Sequence, residues 1–434
     1  MNRLTSLVTS LALLLGASAA RGNGRFPAAS HVVLGEGPSA RVIVLRATFG
    51  LLLSDDDGAT FRWVCEERAV WPVVPETGYD PPVEVHRDGA TLVGSPRGLN
   101  RLPTACALES SLTLRGREVV DLATDRTRAT VFALTRDASG DRVMRSDDGG
   151  ASFARVGDAR PDADLTTLDV APSNPDRLYA AGRFRDSARA RFDRSDDGGR
   201  SWTTSAPAPD GLSELWLSGV SRTDPDTVFV RAPRGLGTAL LRSRDGGRSF
   251  TEVAATEGPM LGFALADDGT TVWYGSATGG LWRSLDGGAR FERIADTPVL
   301  CLRAQGPWLY VCSAWATVGW ALARSADQGR TLVPILDFSA LTGPAACPPS
   351  EPQTACEDRW RSLAPQLASV TADAGVRALD AGHAVPRPPT PSGGCACAPA
   401  AGARVSALAV LALLVTRRRR PRSCHPRASR FARG

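Results

Sequence analysis

Ser146-Asp147-Asp148-Gly149-Gly150-Ala151-Ser152-Phe153 is the stretch whose reading decides the fold. Its pattern, Ser-x-Asp-x-Gly-x-Ser/Thr-aromatic, returns at Ser54 to Phe61 (SDDDGATF), Ser195 to Trp202 (SDDGGRSW) and Ser243 to Phe250 (SRDGGRSF). Ser284 to Phe291 (SLDGGARF) keeps the pattern with Arg290 at the hydroxyl position, and Ser325 to Leu332 (SADQGRTL) is a weaker copy. Each copy follows a short apolar run such as Leu281-Trp282-Arg283 and precedes another such as Phe153-Ala154-Arg155-Val156. That arrangement predicts the turn of a β-hairpin. Gly58 and its equivalents supply a backbone with positive φ. Ser54, Ser146, Ser195, Ser243, Ser284 and Ser325, with Asp56, Asp148, Asp197, Asp245, Asp286 and Asp327, are placed to cap turn N–H groups. The closing aromatic covers the hairpin end.

The serines step by 92, 49, 48, 41 and 41 residues. A period of that size indicates a propeller, and the first step is twice 46, so a blade without the phrase lies inside it. Its strands read as Val83-Glu84-Val85-His86, Thr91 to Gly94, Gly98 to Arg101 and Leu112 to Leu114. Six phrases and one plain blade predict an all-β, seven-bladed propeller of four-stranded antiparallel blades over residues 21–340.

The phrase resembles the Asp-box, or BNR repeat, of sialidase-like propellers. In that family the box lies on the blade rim away from the ligand, so the resemblance implies structural roles for the acidic residues. A calcium loop is excluded for Asp55-Asp56-Asp57-Gly58, which lacks the alternating ligands and distal Glu.

Residues 1–20 read as a secretory signal: Arg3, the apolar run Leu7 to Leu15, then Ala17-Ser18-Ala19. An exported chain explains Cys65, Cys106, Cys301, Cys312, Cys347 and Cys356 as disulfide cysteines, since no C-x-x-C pair occurs among them. Cys301 and Cys312 flank the hairpin turn at Gly306-Pro307. Cys347 and Cys356 bracket a Pro-rich loop, which leaves Cys65 for Cys106; spacing alone leaves the connectivity open. The formal charge of +5 is concentrated in the last 18 residues, which hold eight Arg and no acid; without these and Arg3, 42 Arg face 46 acids. No basic stripe supports nucleic-acid binding.

Residues 341–371 are expected to hold a disulfide loop and a short capping helix, with Trp360, Leu363 and Leu367 on one face and Pro365 interrupting it. Residues 372–394 read as a Pro/Gly/Ala-rich linker. In 395–420, Cys395 and Cys397 precede the apolar run Val405 to Val415 and the block Arg417 to Arg420, followed by a disordered basic extension, 421–434. An apolar segment that stops at an Arg cluster halts with the cluster in the cytoplasm. This order resembles the Myxo-CTERM sorting tail. The resemblance implies processing at Cys395 or Cys397 by a dedicated membrane protease, membrane association through the tail, and anchoring at the cell surface.

Catalysis is hard to place. Sialidase chemistry needs an Arg trio, a Tyr-Glu pair and an Asp. The one Arg-Ile-Pro look-alike is Arg25-Phe26-Pro27, and Tyr79, Tyr179, Tyr274 and Tyr310 show no pairing with a Glu; the last three lie on second strands and read as packing. Xyloglucanase-type propellers use paired Asp residues on a central cleft, for which Asp121, Asp169 and Asp267 are the candidates. His31, His86, His383 and His425 are scattered, with no metal spacing, and no cofactor motif is present. The expected function is a non-enzymatic binding or surface-structural module for proteins or glycans, as in the photosystem II assembly and sortilin-type propellers that carry similar boxes. A glycoside hydrolase of sialidase-like or xyloglucanase-like type is the alternative.

Overall fold

A computed structural model describes residues 26–380 apart from 73–79, 126, 188 and 206–210; the side chains of 369–380 are not described. The signal segment, the linker beyond 380, Cys395, Cys397 and the Arg block lie outside the described residues.

Seven four-stranded antiparallel sheets follow one another along the chain, each made of four consecutive strands. Their first strands are Ala29–Leu34, Val83–Val85, Glu118–Thr124, Ala163–Val170, Trp216–Val220, Met260–Leu265 and Cys301–Gln305, numbered here as blades 1 to 7. These first strands pack against one another around the ring and surround a central channel. Second strands are buried on both faces by the neighbouring blades and are accordingly continuous apolar runs: Val131 to Leu134 and Leu178 to Ala181 are fully covered. Outer strands such as Ala154–Arg160 are partly exposed and present charged residues such as Arg155 and Asp158 to solvent. In blade 2 the outer strand is Glu109–Ser110, not Leu112 to Leu114 as the apolar spacing suggested. Leu114 is buried instead, in the core between blades 2 and 3, where it meets Leu92, Leu99 and Val119.

Among the described residues the last blade is built from four consecutive strands, Cys301–Gln305 to Val333–Leu336. Blade 7 meets blade 1 through a shared core that includes Val32, Leu45, Tyr310 and Leu322. Beyond blade 7 the chain crosses to the outer edge of blade 1. There Pro344 bridges Trp63 in parallel, and the Ala345 N–H donates to the Trp63 carbonyl at 2.8 Å.

Two disulfides fasten this segment: Cys106–Cys347 to blade 2, and Cys65–Cys356 to blade 1. Cys301–Cys312 joins register partners within blade 7, as the hairpin reading expects. The pairings Cys65–Cys106 and Cys347–Cys356 are therefore corrected. Cys65 and Cys106 are both held by the C-terminal segment, because that segment spans the ring's junction.

The capping helix is longer than expected, Glu351–Asp380, and runs through Pro365 and into the stretch assigned to the linker. It stays in place because Cys356 is bonded to blade 1, Leu363 and Leu367 are buried, and the Trp360 ring packs on Trp63 at 5.5 Å. Among the described residues no helix is long and apolar enough to cross a membrane. The three disulfides point to an oxidising, extracytoplasmic setting.

Candidate functional site

The repeated phrases form one hydrogen-bond pattern in the turn between third and fourth strands. In blade 5 the Ser243 hydroxyl donates to Asp245 Oδ1 at 2.8 Å and accepts from the Gly247 N–H at 2.8 Å. The Ser249 N–H and hydroxyl then donate to the two Asp245 oxygens at 2.9 and 2.6 Å. The same set recurs around Ser54, Asp56 and Gly58, and around Asp148 and Asp197. Asp327 accepts the Thr331 N–H at 2.8 Å. At Asp286 the Arg290 N–H donates at 2.9 Å, so the lost hydroxyl removes one bond and leaves the turn intact. These carboxylates point into their own turns and leave no cleft between them.

Consecutive strands alternate in direction, so first hairpin turns and these phrases share one end of the disc. At that end the channel is bridged. Arg222, on the blade 5 turn, pairs with Glu36 of blade 1 and with Asp267 of blade 6 at 2.6 Å. Asp267 also accepts the Gly306 N–H of blade 7 at 3.0 Å, and Gln305 donates to the Gly35 carbonyl at 2.7 Å. Asp267 is thus a rim residue tied into a strap, and of the three candidate aspartates only Asp121 and Asp169 face the bore.

The bore is a cavity of about 320 Å³. Glu84, Asp121 and Asp169 project into it from the first strands of blades 2, 3 and 4. Arg303 and His31 project from the first strands of blades 7 and 1; Arg46 and Arg231 reach it from the second strands of blades 1 and 5. Blade 6 contributes Phe263 and Leu265. Acids therefore occupy one arc of the ring, cations the opposite arc, and an apolar wall stands among the cations.

Local contacts fix these groups without neutralising them. Asp121 Oδ2 accepts the Leu168 N–H of the next blade at 2.8 Å, Asp169 accepts the Val170 N–H at 2.8 Å, and the Thr124 hydroxyl donates to Glu84 at 3.3 Å. Arg46 donates to Ser30 Oγ at 3.0 Å and to the Pro81 carbonyl at 2.8 Å, and Arg231 donates to the Met260 carbonyl at 2.6 Å. Among the described residues none of the three carboxylates, and neither Arg231 nor Arg303, stands in an ion pair. Ser218 Oγ and Arg231 Nε are covered and have no hydrogen-bond partner among the described residues.

Burial dominates the electrostatics. It pushes Glu84 up to about 7, against the pull of Arg303 and with the repulsion of Asp169 and Asp121. It pushes Asp121 up to about 7, against its backbone hydrogen bonds, and Asp169 up to about 6. His31 is held down at about 3 by burial and by Arg46, Arg303 and Arg231; burial alone lowers Arg231 to about 10. Each carboxylate nevertheless keeps part of its surface open to the channel.

No described tyrosine lines the bore. Tyr179 donates to the Pro225 carbonyl at 2.6 Å, Tyr274 stacks on Trp282 and Tyr310 is in the core. Tyr79 and Arg25 lie outside the described residues. Among those described, no group of three or more His, Cys, Asp or Glu is arranged to hold a metal ion. The sequence reading missed Glu84, Arg46, Arg231 and Arg303. Their only signal is a single charge inside an apolar strand, as in Val83-Glu84-Val85.

No protein-family model matches the chain, and no curated protein matches it. Solved structures do. The GH74 xyloglucanase from Xanthomonas campestris is 14% identical over 72% of this chain and 72% of its own, with a TM-score of 0.30. YCF48 from Cyanidioschyzon merolae is 14% identical over 66% of this chain and 93% of its own, TM-score 0.46. The extracellular domain of BT4673 from B. thetaiotaomicron is 10% identical over 70% of this chain and 38% of its own, TM-score 0.49. These are likenesses of fold alone.

Proposed function

We propose that the chain is an exported propeller that acts as a binding module, taking a polar ligand, a glycan or a protein segment, into its central channel. One observation carries this reading: among the described residues Glu84, Asp121, Asp169, Arg231 and Arg303 line the bore and stand in no ion pair. Unpaired charge away from bulk water destabilises a fold by several kcal/mol, and a purely structural channel would gain by filling the bore with apolar side chains. The tail, processed at Cys395 or Cys397, would keep the propeller at the cell surface.

A hydrolase reading has its own support. Glu84 and Asp121 both rise to about 7, so near neutral pH one carboxyl can hold a proton while another is ionised, as a general acid and base require.

Glycan and peptide arrays probed with full-length protein test the proposal. Ligands captured by wild type and lost with Arg231→Ala support it; ligands indifferent to every channel substitution overturn it. Turnover of aryl glycosides or xyloglucan oligosaccharides, abolished by Glu84→Gln or Asp121→Asn, would replace binding by hydrolysis.

A further inference from the structure

From the division of the bore into an acidic and a basic arc, we infer that its ligand is a small zwitterion of the amino-acid or short-peptide type, with a cationic group and a carboxylate on one molecule. This inference rests on the binding role proposed above. The acids come from three consecutive blades, 2 to 4, and the cations from blades 5, 7 and 1. A lone anion at Arg303 and Arg231 would feel the repulsion of Glu84 and Asp169, and a lone cation at Asp121 would feel that of Arg46. A molecule with both charges meets an attractive field at each end, and its own dipole opposes the one built into the ring.

The arcs sense one another, since Arg303 acts on Glu84 and Arg46 on Asp121, yet they do not touch. The gap between them is therefore available to a ligand. Hydrogen-bonding capacity is available too. On the basic side, Arg303 lines the bore and makes no hydrogen bond or ion pair among the described residues. On the acidic side, Asp121 and Asp169 are oriented by backbone N–H groups and are not masked by a counter-ion. A cavity of about 320 Å³ lies at the small end of ligand sites and suits an amino acid or dipeptide better than a long oligosaccharide. Phe263 and Leu265 add an apolar wall for the methylene part. A metal ion is a poorer occupant, because the carboxylates are not grouped to ligate one.

Calorimetric titration of the full-length protein tests this, with β-alanine, 6-aminohexanoate and glycylglycine as zwitterions. Hexanoate and hexylamine serve as singly charged controls, and cellobiose as a neutral one. The expected result is that at least one zwitterion binds about tenfold or more tightly than both singly charged controls. Asp121→Asn and Arg303→Gln should each remove that margin. Both variants should fold, since Asn retains an acceptor for the Leu168 N–H and Arg303 has no bond to lose; unchanged thermal unfolding checks this. Equal affinity for hexanoate or hexylamine, or binding of cellobiose alone, overturns the zwitterion and leaves a binding channel standing. Absence of binding by every probe also overturns the zwitterion. The wider reading fails with it only if array ligands are equally indifferent to channel substitutions.

Discussion

Cys65, the last residue of blade 1, is bonded to Cys356 in the C-terminal helix, 291 residues further along the chain. The bond does for this propeller what an exchanged strand does where one terminus completes the opposite blade. The ring's junction also rests on side-chain packing between blades 7 and 1, on the Gln305 to Gly35 hydrogen bond, on the Arg324–Asp57 ion pair at 2.9 Å and on the bridge from Pro344 to Trp63.

Loop length then ranks the disulfides. Chain entropy assigns about 4 kcal/mol to Cys65–Cys356, which adds a loop of about 50 residues while Cys106–Cys347 stays closed, and about 3 kcal/mol to the short Cys301–Cys312 loop. The Cys65→Ser/Cys356→Ser pair should therefore lower the unfolding temperature more than the Cys301→Ser/Cys312→Ser pair. It should also expose the blade 1–blade 7 junction to hydrogen exchange. An equal or larger loss from the blade 7 pair would show that the C-terminal segment does not close the ring.

Asp245→Ala should destabilise the fold by about 1–2 kcal/mol, by removing the acceptor for the Ser249 N–H and two hydroxyls. The box lies at the strapped end, so ligand affinity of the folded variant should stay at the wild-type value. Denaturant unfolding and titration of one preparation separate the two effects; weakened binding at unchanged stability would place the box in the site.

Gly247→Ala should cost more, about 3 kcal/mol or above. Its φ is +85°, and an added Cβ would lie 2.0 Å from the Phe192 ring, which is itself locked against Phe250. Near-wild-type stability in urea would mean that Phe192 yields, and that the turn is looser than its packing indicates.

The blades were legible in the sequence because the repeated phrase is local. Ser243 to Phe250 contains the donors and acceptors of its turn apart from the Asp226 carbonyl, which accepts the Gly246 N–H at 3.0 Å, and the 41 to 49 residue spacing then counts blades. The disulfide partners were not legible, because Cys65 and Cys356 meet only after the ring has closed. The channel was half legible. Asp121 and Asp169 stood out as acids on first strands. Arg46 and Arg231 lie on second strands, where alternation assigns side chains to blade faces, and only their length brings them to the bore. The helix outran its reading because Pro365 was weighed as a breaker without the disulfide and the Trp63 contact that hold its first half.

Stability should pass through a maximum on the acidic side of neutrality, set by two opposed groups of acids. The channel acids Glu84, Asp121 and Asp169 titrate at about 7, 7 and 6 in the folded chain and near 4 when unfolded. Between these values the folded state binds more protons, so their contribution is complete below about pH 4 and disappears as pH rises through 7. His31, held down at about 3, works the other way: its contribution is present above about pH 6.5 and declines as pH falls below it. One histidine offsets only part of three carboxyls, and Arg231, lowered by burial to about 10, stays charged throughout the range. The box acids Asp56, Asp148, Asp245 and Asp327, held at about 2 with their turn hydrogen bonds among the causes, add stability that is present above about pH 4 and lost as pH falls toward 2. Unfolding in urea should therefore show greater stability at about pH 5 than at about pH 8 or pH 3. The double variant Glu84→Gln/Asp121→Asn should flatten the decline between about pH 5 and 8 and leave the acid limb unchanged. A wild-type curve that rises from pH 5 to 8, or a double variant with an undiminished decline, would show that the channel carboxyls titrate in the ordinary carboxylate range.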